Sequence, residues 1–124
     1  VRAPDAVQFM VDVLTPILDT PVGNKASAGD SFVKVNRTGG PRPTPVSDQP
    51  QLTFEAYHRR PDRAWDLAED TRQAVHALAG TVIEGVNVKN VSELAGPADL
   101  PDPLFPDHSR YTFTLAVHLR ARNA

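Results

Sequence analysis

The sequence holds no cysteine among its 124 residues. That excludes disulfides, thiolate metal sites and cysteine nucleophiles, and it fits a reducing compartment. There is no excess of positive charge either. Thirteen Lys and Arg stand against 15 Asp and Glu, for a net charge of −2, and the basic residues are scattered, so the footprint of strong nucleic-acid binding is missing. No apolar run approaches the roughly 20 residues that span a bilayer, and no membrane partner is expected. No signal peptide is expected, because the chain opens directly on an amphipathic pattern. Its first residues are Val1 and Arg2 rather than Met; a non-standard start codon or a trimmed chain would account for that. No internal repeat is visible.

What is present is ordinary in bulk and uneven in detail. Hydrophobic residues make up 40% and charged residues 23%, the balance of a globular chain of one domain spanning 1–124. The 12 prolines are about twice the usual share. They gather in two stretches, 38–50 and 95–109, which predicts two long, stiff, projecting loops.

The best-defined element is a helix over 61–80. Pro61 suits a first helical turn, where its missing N–H had no partner. Asp62, Asp66, Glu69 and Asp70 crowd the half that the helix dipole makes favourable to negative charge. Gly80 can close the far end in a positive-φ conformation. Ala64, Leu67, Ala68, Thr71, Ala74, Val75 and Leu78 fall on one face. A first helix is predicted over 4–18, with Ala6, Phe9, Met10, Val13, Leu14 and Ile17 as its stripe and Pro16 bending or ending it.

Four strands are predicted. They cover 31–37 (Val33 and Val35 one way, Phe32 the other), 51–58 (Leu52, Phe54 and Ala56 inward), 82–94 with a break at Gly85, and 110–122. In the last, Tyr111, Phe113, Leu115, Val117 and Leu119 point in, the cleanest alternation in the chain. Its thirteen residues exceed the usual five or six, so part of it is expected to pair outside the domain. Residues 19–30 read as loop. The predicted fold class is α+β: a two-layer, mainly antiparallel four-stranded sheet with two helices packed on one face, in the order α-β-β-α-β-β.

No chemical signature emerges. His58, His76, His108 and His118 show no metal-ligand spacing. The carboxylates of the central helix sit at its exposed start, where the dipole and solubility explain them. Asp99, Asp102 and Asp107 alternate with prolines as in turns. The serines lack a nucleophile-elbow context, and Thr38-Gly39-Gly40 is followed by prolines where a phosphate-binding loop needs a lysine and a helix. No cofactor, metal or catalytic residue is predicted. Trp65, beside the apolar stripe, reads as core edge or as a subunit contact.

Taken in order, the segments DAVQFMVDVL, SFVKVNRTGGPRP, LTFEAYHRRPDRAWDLAEDTRQAVHAL and GPADLPDPLFPDHSRYTFTLAVHLRAR give a pattern that resembles the tail terminator proteins of long-tailed, siphovirus-type bacteriophages. The resemblance covers nearly the whole chain and lies in the order of segments, most specifically the RTGG loop and the PDP…RYTFTLAVHLR ending. It implies a structural virion protein made in the host cytoplasm and placed at the head–tail junction. Such proteins form a homohexameric ring that caps the head-proximal end of the tail tube and stops its polymerisation. The partners implied are the tail tube protein, the head-completion or connector proteins, and genomic DNA passing through the lumen without specific binding. Six copies would carry −12 in total, which lets DNA slide without being held.

The candidate interface residues follow from this. Gly39 and Gly40 let the backbone leave the sheet, while Arg37 and Arg42 offer charge on a proline-stiffened docking loop. Arg59, Arg60 and Arg63 are candidates to meet Asp66, Glu69 and Asp70 of a neighbour, with Trp65 beside them, in a ring built from strand edges and the central helix. A connector or stopper, a tail tube subunit, and a small hydrolase or transferase with an unrecognised pocket remain the alternatives.

Overall fold

The computed structural model describes residues 3–27 and 29–121. Helix α1 spans Ala6–Leu18. Asp5 caps it, its carboxylate accepting the Gln8 N–H at 3.1 Å, which satisfies one of the orphan donors of a first turn. Ala6, Met10 and Leu14, one turn apart, are buried. Pro16 does not stop the helix outright; the chain runs on for two more residues and then turns at Asp19, whose φ is +44°. Ile17, expected in the buried stripe, is exposed.

The sheet corrects the predicted four-stranded, mainly antiparallel fold. Seven strands form one mixed, strongly curled sheet: β1 Val22–Gly23, β2 Ser31–Gly39, β3 Ser47–Asp48, β4 Gln51–His58, β5 Val82–Ile83, β6 Val86–Asp99 and β7 Ser109–Ala121. The spatial order is β1-β2-β4-β7-β6-β5, and β3 pairs with β7 beyond the start of β4. The β1–β2 pair is parallel, which makes the sheet mixed.

Three of these strands are two residues long; β1 and β3 lie in segments read as loop, where there is no room for alternation to show, and β5 falls in the segment 82–94 read as strand, ahead of its break. The longest miss is β6, which crosses Gly96 and Pro97 before ending at Asp99. A proline is tolerated there because β6 is an edge strand over that stretch and owes no N–H to a further neighbour. The expected break at Gly85 is a hairpin turn: Glu84 and Gly85 take φ of +49° and +78°, and β5 and β6 pair across it.

β7 does not reach outside the domain. One side of it pairs with β4 and then β3, and the other with β6 along almost its whole length. Its predicted last residue, Arg122, lies outside the described residues.

Helix α2, Pro61–His76, packs on β4 and β7. It buries Ala64, Leu67, Ala68, Thr71 and Val75, the predicted face. The buried Thr71 hydroxyl donates to the Leu67 carbonyl at 2.7 Å, so it carries no desolvation debt. The chain leaves α2 through turns that end at Gly80, whose φ is +85°. Opposite α2, Phe54 and Phe113 stack at 5.1 Å, with Leu52, Leu115, Val117 and Leu119 fully buried beside them. Each such side chain contributes about 1.5–3 kcal/mol by leaving water. α1 packs on α2, β1 and β2, closing the core over Val33 and Val35.

The outer face of the sheet is not simply solvated. Phe32 and Tyr57 point that way and are still fully buried, because residues 100–108 cross over them. Their rings stack at 4.3 Å, and Phe105 meets both edge-on at 5.5 Å.

Candidate assembly surfaces

The connection from β2 to β4 carries four of the predicted site residues. Arg37, at the end of β2, grips Asp48 through two hydrogen bonds of 2.6 and 2.9 Å. The same guanidinium donates to the carbonyls of Gly39 and Gly40 at 3.1 and 3.2 Å. Asp48 is only 3% exposed, and the hydrogen bonds from Arg37 hold its carboxyl below the usual range against the cost of burial. Gly40 has φ +107°, and a Cβ there would lie 2.1 Å from the Gln49 carbonyl oxygen; only glycine fits. Arg37, Gly39 and Gly40 therefore form a clamp at the loop's root. The tip, 41–45, is exposed. Arg42 lies on it and donates to the Pro45 carbonyl.

The second predicted group lies around the start of α2. Arg59 pairs with Asp30 and Arg60 with Asp62, both at 2.9 Å and both exposed, so neither is worth much to the fold. Arg63, Asp66 and Asp70 line one shallow groove with His58, Thr20 and Ser31. Glu69 is turned aside: Arg72 bridges it to Glu93 of β6, each at 2.9 Å. Trp65 is 43% exposed and rests edge-on against Tyr111 at 5.4 Å. The structure thus brings Arg63, Asp66 and Asp70 onto one exposed flank of α2 and sets Trp65 on the other, against β7, both apart from the Arg37 clamp.

A third surface was not singled out in the sequence. The Tyr57 hydroxyl donates to Asp102 at 2.7 Å, and the other Asp102 oxygen accepts the Leu104 N–H at 3.0 Å. These two donors hold the Asp102 carboxyl below its ordinary value. Burial first, and then donation to Asp102, pushes the Tyr57 phenol up to about 12. Arg110 lies beneath, bonded to Glu55 at 2.9 Å and to the Leu100 carbonyl at 2.6 Å, while Lys34 meets Glu55 at 3.2 Å. The His108 ring bonds the Gly29 carbonyl at 2.9 Å. At the tip of this tightly held turn Leu104 is 83% exposed. The signal available in the sequence was an apolar pair, Leu104-Phe105, enclosed between prolines and aspartates.

One surface groove, of about 520 Å³, is open and lined by Asp5, Val7, Gln8, Val11, Gly23, Asn24 and Asn36, a set without a nucleophile–base pair. Among the described residues no group of three or more His, Asp or Glu side chains converges as a metal site. The chemistry on offer is that of docking: exposed aromatic and apolar anchors, exposed charge, and stiff loops.

The chain matches the family model described as phage tail termination protein over residues 2–124. A solved structure titled "Virion of native gene transfer agent (GTA) particle" contains a chain of the same fold. It is 15% identical, with a TM-score of 0.58, and the match covers 93% of this chain and 92% of that one. No curated protein sequence matches.

Proposed function

The chain belongs to the phage tail termination protein family, and from that premise we propose that it forms a hexameric ring on the head-proximal end of the tail tube. It is a structural component of a virion tail. In that ring it stops tube polymerisation and gives the head-completion proteins their joining surface, at the head–tail junction of a particle assembled from host-made subunits. Genomic DNA passes through the lumen without being gripped. The observation that carries this reading is the family match along the whole chain.

Within it, the two exposed flanks of α2 contribute to contacts between copies, Trp65 on one as an aromatic anchor of the kind that dominates interfaces, and Arg63, Asp66 and Asp70 on the other. The exposed tip 41–45, with Arg42, docks the tube or the head-side partner. Proline stiffening lowers the entropy that docking costs.

The test is to replace residues 41–45 by a short Gly/Ser turn while keeping Gly40, Ser47 and Asp48, so that the Arg37 clamp stays whole. The expected result is a folded protein of near-normal thermal stability whose particles show tubes of uncontrolled length or tails without heads in electron micrographs. Normal infectious particles would remove the tip from the docking surface. Particles lacking the protein altogether, yet with tails of normal length, would remove the terminator role itself.

A further inference from the structure

The sheet has two chemically unlike ends. At one, the turn 100–108 presents Leu104, 83% exposed, between the exposed carboxylates Asp99 and Asp107. At the other, the register places Val82, Asn87 and Arg120 in one row across β5, β6 and β7. Lys89 stands two residues along β6. Val82 is 49% exposed, and Lys89 and Arg120 are exposed beside it. An exposed leucine in mainly acidic surroundings, where Arg59 lines the same groove but is paired with Asp30, thus lies at the opposite end of the sheet from an exposed valine flanked by Lys89 and Arg120.

Resting on the ring reading above, we propose that these two ends meet between successive copies of this chain. Leu104 of one copy seats at Val82 of the next, and Asp99 and Asp107 face Lys89 and Arg120. Three observations favour a second copy as the occupant. The charges of the two ends are complementary, which sets register and disfavours like-to-like pairing. Leu104 is pre-ordered: Asp102, Tyr57, Phe105 and His108 fix the turn before any partner arrives, so little ordering entropy is left to lose. The alternative route, strand addition along the open edge of β6, is blunted by three register shifts and by Pro97. A contact between two different patches of one chain is heterologous, and such contacts close into rings when the rotation allows.

The absence of cysteine makes the test unambiguous. Leu104→Cys and Val82→Cys are introduced singly and together, and purified tails are treated with a short bismaleimide. The double variant should give a ladder of cross-linked species ending at the ring size; a mixture of the two single variants should give dimers, and each single variant alone should give none. Leu104→Asp should lower incorporation into tails about tenfold. Asp99→Lys with Asp107→Lys should do the same, and adding Lys89→Glu with Arg120→Glu should restore it.

Cross-links within the Leu104→Cys variant alone, or a ladder ending at two, would overturn the end-to-end contact. So would intact rings that no longer join a tube or head in Leu104→Asp, because the turn would then serve a different protein. Rings of six without cross-links would sink this contact and leave the ring reading standing; tails holding a single copy of the chain would sink both.

Discussion

The two proline-rich connections, 38–50 and 100–108, are alike in composition and held in opposite ways. The first is secured at its root and exposed at its tip. Arg37 reaches a buried carboxylate, Asp48, and Gly40 lets two backbone segments lie closer than any Cβ would permit. The second is secured along its length by what it covers. Phe105 completes an aromatic cluster with Phe32 and Tyr57, and Asp102 receives hydrogen bonds from Tyr57 and Leu104. Proline content therefore reports stiffness and says nothing about where a loop lies. What locates each loop is a group it sets into the fold: the buried, ion-paired carboxylate of Asp48 in one, the half-buried ring of Phe105 in the other.

That contrast is broken most sharply at Gly40. Gly40→Ala places a Cβ 2.1 Å from the Gln49 oxygen and 2.9 Å from the Pro50 Cα. Both obstacles are backbone, so the loop root must move, at a cost of about 3 kcal/mol or more. Gly39→Ala is the control. Its φ is +138°, but nothing lies within 4 Å of the added carbon, so only the backbone strain of about 1–3 kcal/mol remains. Urea titration of the two variants checks this, and equal midpoints would refute the close packing.

Next in size come the two locating groups. Arg37→Ala strands Asp48 in a buried site and should cost about 2–4 kcal/mol. Phe105→Ala removes a half-buried ring and should cost about 2 kcal/mol, less than a fully buried phenylalanine. Methyl NMR tells the two apart, with Val46 reporting on the first loop and Leu104 on the second. Each variant should disturb its own reporter and leave the other in place.

The sequence was readable where one physical signal was repeated. β4 matches the predicted strand at both ends, and β7 keeps the inward series from Phe113 to Leu119, because alternation over many residues leaves one register that buries the apolar face. α2 was announced by Pro61 and by acidic residues in its first half, but it ends at His76, four residues short of Gly80, which was read as its close. β1 and β3 were not readable: two residues of strand carry no period, and their pairing is decided by tertiary position. The covering of Phe32 and Tyr57 was hidden for a related reason. Alternation says which face a side chain takes, and a distant loop decides whether that face meets water. At the candidate site, the charge of Arg37 was visible but its destination was not. Asp48 lies eleven residues on, beyond three prolines and two glycines, and only the fold brings the two together.

The gentlest way to separate the two loops is alkali. The Tyr57 phenol is raised to about 12 from an ordinary value near 10. A group whose folded value is raised lends stability that is complete below the unfolded value and is lost as pH climbs through the folded one. The hold of Tyr57 on Asp102 should therefore be whole below about pH 10 and fade between about 10 and 12. Acid does not distinguish the loops, because Asp48 and Asp102 are both lowered; both contribute fully above the ordinary carboxylate range and lose their contribution as pH falls below it. In the alkaline window Arg37 keeps its charge, since Asp48 raises its already high value, and the first loop should stay clamped. Leu104 methyl resonances should thus shift through a transition that Val46 does not share, in step with part of the tyrosinate absorbance. Tyr57→Phe should remove that transition and cost about 1 kcal/mol at neutral pH. If both methyls moved together in the parent protein, the two loops would be one cooperative unit and the contrast between their anchors would have no consequence for how they open.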